Sequence, residues 1–187
     1  WYSDTGIAFD QALIQSVSVS TTAGFTTTDF SNWPVFLPIM LIFSSFIGGC
    51  AGSTGGGLKV IRVFLLYLQG KREVDRLIHP KAVYSVKLGE RALPDRVVEA
   101  VWGFFSAYAM IFVIIMVGLI ATGMDDVTAF SATAATLNNL GPGLGEVAAT
   151  YADVSDSGKW LLILAMLFGR LEVFSLLVLF SPTFWRS

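Results

Sequence analysis

Two loops in this sequence present backbone carbonyls with little side chain in the way: STTAGFTTT over residues 20–28 and TLNNLGPGLG over residues 136–145. Each follows about three helical turns of small, mildly apolar residues, Phe9–Val19 and Val127–Leu137. Those turns are too short to cross a bilayer, which takes roughly 20 apolar residues. A short helix points the negative end of its dipole at whatever follows its C-terminus. Glycine lets the backbone after it aim successive carbonyls to one side. Carbonyls held that way replace the water shell of a dehydrated cation. The chemistry on offer is cation coordination, with Thr22, Ala23 and Gly24 in one loop and Asn139, Leu140 and Gly141 in the other. Thr22 and Asn139 either add side-chain oxygens or hold their loops in shape.

A third feature is GGCAGSTGGG, with Gly48, Gly49, Gly52, Gly55, Gly56 and Gly57 inside ten positions. Each glycine costs a helix about 1 kcal/mol against alanine, so the block is a break. It separates two apolar runs, Trp33–Ile47 and Leu58–Leu68, neither long enough to span a bilayer. One broken element explains both runs: a helix entering from outside, an irregular loop within the membrane, and a helix leaving toward the cytoplasm. Lys59 and Arg62 then lie near the inner interface or face an aqueous cavity. A plain connector between two separate spans would need longer flanks. Gly52 and Gly57 have the outer spacing of a phosphate-binding P-loop, but Leu58 precedes Lys59 and no Ser or Thr follows it.

Arg170 sits in the middle of an apolar run, where insertion costs about 2.5–3.5 kcal/mol at a helix centre. Glu172 lies two residues on and projects from another face, and Glu146 is a second candidate partner. The expected place for Arg170 is the pore cavity, hydrogen-bonded to carbonyls of the glycine block. His79, before Pro80, reads as a solvated loop residue, and a lone Cys50 forms no internal disulfide.

The elements that position these groups are membrane elements. The chain is 54% hydrophobic and 14% charged, where soluble domains carry roughly 25% charge. Nine of the twelve Lys and Arg lie between Lys59 and Arg96, while residues 1–32 and 122–158 have none and carry acids instead. By the positive-inside rule the basic stretch is cytoplasmic and the acidic stretches are external. Val97–Thr122 is a complete span running outward; Lys159–Phe180 returns inward. Residues 69–96 form a polar cytoplasmic connection with a short helix. Trp33, Trp160 and Trp185 read as interfacial anchors, and Asp125 and Asp126 as an N-cap for the helix at Val127.

A shift of 117 positions lays Ala12 on Ala129, Ser16 on Thr133, Thr22 on Asn139, Ala23 on Leu140 and Gly24 on Gly141. Downstream, SFIGG at 45–49 corresponds to MLFGR at 166–170. The common plan is a short helix, a glycine loop, an acidic linker and an inward helix. Val97–Thr122 leads the second copy, and a matching helix is expected ahead of the first. The fold class is an all-α integral membrane protein of repeated helix–pore-loop–helix units, with one inner helix broken by an intramembrane glycine loop. Lipid does not tolerate irregular backbone, so such loops must be buried in protein or line a water-filled path. No paired aspartates, Ser-His pair or metal-ligand cluster lies at membrane depth, which argues against an enzyme.

STTAGFTT, GGCAGSTGGGLKVIR, TLNNLGPG and MLFGRLEVFSLLVLFSPTFW together resemble the C-terminal half of the Trk/Ktr/HKT superfamily of potassium transporters. The resemblance covers essentially the whole chain. It implies four units around one pore in a single polypeptide, of which residues 1–96 would be the third and 97–187 the fourth. The third would hold a pore helix over 9–20, a filter over 21–26, a broken inner helix over 33–68 and the connection over 69–96. The fourth would hold an outer helix over 97–122, a pore helix over 127–137, a filter over 138–143 and an inner helix over 159–181. It further implies a K⁺ ion at the filter residues named above, with Na⁺ and Rb⁺ as alternatives, and no organic cofactor. The glycine block and Arg170 would gate the path below the filter. Expected partners are the missing N-terminal half of the same polypeptide, a second copy in a homodimer, a TrkA-like cytosolic nucleotide-binding ring on the side of loop 69–96, and the lipid bilayer of the bacterial inner membrane, with no nucleic acid. The rival reading is an ion-coupled secondary transporter binding substrate at the interrupted helix.

Overall fold

The computed structural model describes residues 2, 4–34, 36–49, 53, 55–79, 82 and 84–170. Cys50, Gly52, Glu172, Trp185 and the stretch expected to carry the inner helix on to 181 lie outside the described residues.

Helix α1 spans Thr5–Ser20. It begins ahead of the apolar run at Phe9 because Asp4 caps it, accepting the Gly6 amide at 2.8 Å. A 3-10 turn at Phe30–Asn32, capped by Asp29, buries Phe30 and leads to α2, Phe36–Ile47. Its 12 residues make a rod of about 18 Å, well short of the hydrocarbon thickness. It stops at Gly48, which takes φ +65°. The chain becomes helical again at Val60, and α3 runs Val60–Ile78.

The polar connection differs from expectation in two ways. The helix expected within 69–96 is present over residues 69–78, but as the end of α3, which passes the expected boundary at 68. Nothing breaks the chain there until His79, whose place before Pro80 disfavours helical backbone. The polar turns also tie themselves together: Gln69 donates to Glu73 at 2.7 Å, and Arg76 lies 3.6 Å from Glu73. The second difference is a departure from the all-helical expectation. Strands β1, Lys87–Leu88, and β2, Arg91–Ala92, form a small antiparallel hairpin, turned at Gly89 with φ +62°.

Helix α4, Asp95–Ala121, has 27 residues and a mean hydropathy of 2.5 over its most apolar window. Among the described residues it is the one helix long and apolar enough to cross a membrane. Helix α5 spans Asp126–Leu137, and α6 spans Asp156–Arg170 as far as described.

Helix α5 occupies the centre, packed against α6, α4 and α2. Thr128, Ala129 and the whole of Ser131–Leu137 are buried. Small side chains allow the close approach, and the threonines satisfy themselves within the helix. Thr133 donates to the Ala129 carbonyl at 2.8 Å and Thr136 to the Ala132 carbonyl at 2.7 Å. Phe43 and Phe46 of α2, Phe112 of α4 and Phe130 of α5 pack in tilted and edge-on contacts where three helices meet. Helix α1 packs on α2 and exposes Ile7, Phe9, Leu13, Ile14 and Val17.

Candidate functional site

Helices α1 and α5 end in the same way, bond for bond. The Thr21 amide donates to the Val17 carbonyl at 3.0 Å, Thr22 to Val19 at 3.1 Å, and Ala23 to Ser18 at 2.8 Å. At the second loop Asn138 donates to Ala134 at 3.0 Å, Asn139 to Thr136 at 3.0 Å, and Leu140 to Ala135 at 2.7 Å. Every donor and acceptor is displaced by the 117 positions read from the sequence. The backbone angles agree as well: Thr22 and Asn139 have φ of +55° and +53°, Gly24 and Gly141 of +76° and +105°. Left-handed backbone is uncommon outside glycine and is held in place by its surroundings. Among the described residues three non-glycines adopt it, Thr22, Asn139 and Lys59, and all three lie at this site.

The two loops touch. A Cβ built on Gly24 would sit 2.1 Å from the Leu140 carbonyl oxygen. Their surroundings differ, since Leu140 is buried in the core between α2 and α5 while Ala23 is exposed.

The glycine segment docks onto both loops from the side of α2 and α3. The Gly56 amide donates to Thr22 Oγ1 at 2.9 Å. A Cβ on Gly56 would lie 1.7 Å from the Asn138 carbonyl oxygen, and one on Gly57 would lie 2.6 Å from that of Ser45. The Leu58 amide returns to the Phe46 carbonyl at 2.8 Å, so the break folds back against the end of α2. Only residues without side chains fit this approach. Gly48 and Gly49 are the turn out of α2; Gly55, Gly56 and Gly57 carry the contact.

A cavity of about 230 Å³ opens beside this contact, lined by Ser53, Gly55 and Gly57 together with Lys59, Arg62, Tyr108 and Arg170. The Arg62 guanidinium carbon stands 4.1 Å from the Phe104 ring centroid, a cation–π geometry. Arg170 thus shares a cavity wall with the glycine segment. Its neighbour Gly169 presses on the second loop: a Cβ there would be 2.0 Å from the Leu137 carbonyl oxygen.

Several side chains at the site were not singled out by sequence reasoning. Asn138 caps α5 and is fully buried. Tyr108 of α4 donates its phenol to Asn138 Oδ1, and Asn138 Nδ2 donates to Ser45 Oγ of α2 at 2.8 Å. Tyr151, in the loop between α5 and α6, donates to the Gly141 carbonyl at 2.8 Å. Burial pushes the Tyr151 phenol up to about 12. Asn139 Nδ2 lies 3.4 Å from the Met166 carbonyl of α6. The available signal was the polar type of Ser45, Tyr108 and Asn138 within apolar surroundings, where such groups need partners. Asp125 caps α5, accepting the Val127 and Thr128 amides at 3.2 and 3.4 Å, and Asp126 occupies the first turn.

Residues 3–187 match the TrkH family, described as a cation transport protein. The Trk system potassium uptake protein TrkH of Vibrio parahaemolyticus is 70% identical over all of this chain and 38% of its own length. The protein of the same description in Escherichia coli K12 is 63% identical over the same shares, and the TrkG protein of that strain 39% identical over 96% of the chain. The crystal structure of the potassium transporter TrkH from Vibrio parahaemolyticus superposes with a TM-score of 0.91, covering 99% of this chain and 40% of that one at 70% identity. Helices in this arrangement, at this identity to a solved membrane transporter, define a helical membrane protein. The chain belongs to the TrkH family of cation transport proteins. It spans about 38% of the length of these relatives.

Proposed function

We propose that this chain forms part of the pore of a bacterial inner-membrane potassium uptake subunit, a conducting protein and not an enzyme. K⁺ would pass down its electrochemical gradient through backbone carbonyls of 22–24 and 139–141. The observation that carries the reading is the pair of loops with one hydrogen-bond pattern, meeting at Gly24 and Leu140 at the C-terminal ends of two short helices. Carbonyl rows at negative helix ends suit a dehydrated cation. The relatives named above are described as potassium uptake proteins, which supports K⁺ as the ion.

In this reading residues 1–96 are a third and 97–187 a fourth pore unit, completed by the rest of a longer polypeptide. The exposed apolar face of α1 fits that completion. Gly48 to Gly57 form the gate, with Arg170 as the charge the closed gate rests beside. Two copies in a dimer sit on a nucleotide-binding cytosolic ring at the basic side.

The test is ion flux through the full-length protein in liposomes. Rb⁺ or K⁺ is expected to pass without a coupled solute; strict dependence on a co-transported solute would favour the secondary-transporter reading. Gly24→Ser and Gly141→Ser are expected to lower discrimination between Rb⁺ and Na⁺, since both positions hold φ values that L-residues rarely adopt. Unchanged selectivity in both variants would remove the filter assignment.

A further inference from the structure

The two copies differ at the residue just before each loop. Thr21 in the first copy spends its hydroxyl locally, donating to the Val17 carbonyl at 2.7 Å. Asn138, 117 positions on, uses its side chain across the fold. Its Oδ1 accepts from Tyr108 of α4, its Nδ2 donates to Ser45 of α2 at 2.8 Å, and Ser45 donates onward to the Ile42 carbonyl at 2.6 Å. Ser45 and Asn138 are fully buried and Tyr108 is 5% exposed. The chain is satisfied at each of these polar groups, which makes it rigid and costly to interrupt.

Asn138 also stands at the junction of the site. Its backbone carbonyl is the atom against which Gly56 packs, and two residues on the Leu140 carbonyl packs against Gly24. Holding the Asn138 side chain from two helices therefore holds the carbonyls that meet both the other loop and the glycine segment. Selection among cations by backbone carbonyls depends on where those dipoles are held and how stiffly.

We propose that Asn138, clamped between Tyr108 and Ser45, is a positioning residue for cation selection, tying the loop of 139–141 to helices α4 and α2, while among the described residues its counterpart Thr21 bonds only within its own helix. The proposal rests on the pore reading above. It assigns the clamp to one loop only, so the two loops contribute unequally to selection.

The experiment measures Rb⁺ and Na⁺ flux through the full-length protein in liposomes for Tyr108→Phe, Ser45→Ala and the pair together. Each substitution deletes one oxygen and leaves the packing nearly intact, so each can be read alone. Either is expected to lower the Rb⁺-to-Na⁺ ratio roughly threefold to tenfold, the factor by which one net hydrogen bond shifts an equilibrium. The double variant is expected to fall no further than the worse single one, because both act through Asn138. Ser44→Ala, which loses only a bond to the Leu41 carbonyl, is expected to keep the ratio. Lower protein yield with an unchanged ratio in both single variants would overturn the proposal, as would losses that multiply in the double variant. Protection against thermal unfolding by K⁺ over Na⁺ is a second readout, expected to shrink in the same variants; equal protection throughout would also overturn it. An unmodified protein that passes neither cation would instead defeat the pore reading.

Discussion

At the scale of single residues, the site is built from groups whose work is to hold backbone in place. Thr22 accepts the Gly56 amide, and Tyr151 donates to the Gly141 carbonyl at 2.8 Å. A carbonyl has two lone pairs, so one is fixed by the phenol while the other remains for a ligand. Burial raises the Tyr151 phenol from 10.0 to about 12. The folded state therefore holds that proton more tightly than the unfolded chain. Its contribution is fully present below the ordinary value of 10.0 and is lost as pH rises through about 12. The unfolding temperature of the full-length protein is expected to fall more steeply in that alkaline window than that of Tyr151→Phe. At neutral pH the two slopes should coincide. Parallel curves across the alkaline window would show that the phenol keeps no such proton.

At the scale of elements, local chemistry explains most boundaries. Asp4 starts α1, Asp125 starts α5, and Gly48 ends α2. Asp125 satisfies two of the four free amides at the start of α5. Asp125→Ala is expected to cost about 1 kcal/mol, read as a lower unfolding temperature of the full-length protein, with Asp125→Asn close to the original. An equal loss in both would assign the effect to charge instead of to the cap. The extension of α3 to Ile78 was less legible, because its last turns are polar and look like a loop when hydrophobicity alone is followed. Their stability comes from pairs within the helix and from Arg72, which reaches Asp95 at the start of α4 at 2.7 Å. The hairpin at Lys87–Ala92 was invisible for a similar reason: two-residue strands have no periodicity to read.

At the scale of the whole molecule, the arrangement puts the glycine segment and three basic residues, Lys59, Arg62 and Arg170, around one small cavity, and the same segment touches both carbonyl loops. If the glycine segment is the gate and Arg170 its rest, Arg170→Gln is expected to raise Rb⁺ flux in the absence of any cytosolic partner. Unchanged flux with and without that partner would remove the gating role. The repeat of 117 positions was legible from residue types alone, and the backbone follows it bond for bond over residues 21–24 and 138–141. That agreement has a simple cause. Helix ends and glycine positions act over a few residues, so a glycine at the same distance from each helix end, Gly24 and Gly141, gives the same local bonds although the residues between differ.

The residues in order determined that this is a membrane protein, where its apolar runs lie, where the glycine break falls, and which loops correspond. Those properties depend on composition and on short spacings. The tertiary structure alone decided which polar atoms meet. Asn138 finds Tyr108 across 30 residues and Ser45 across 93, and Gly56 finds Thr22 across 34. No local pattern encodes such a pairing, because it follows from how α2, α4 and α5 pack, and buried polar groups take the partners that packing brings within reach.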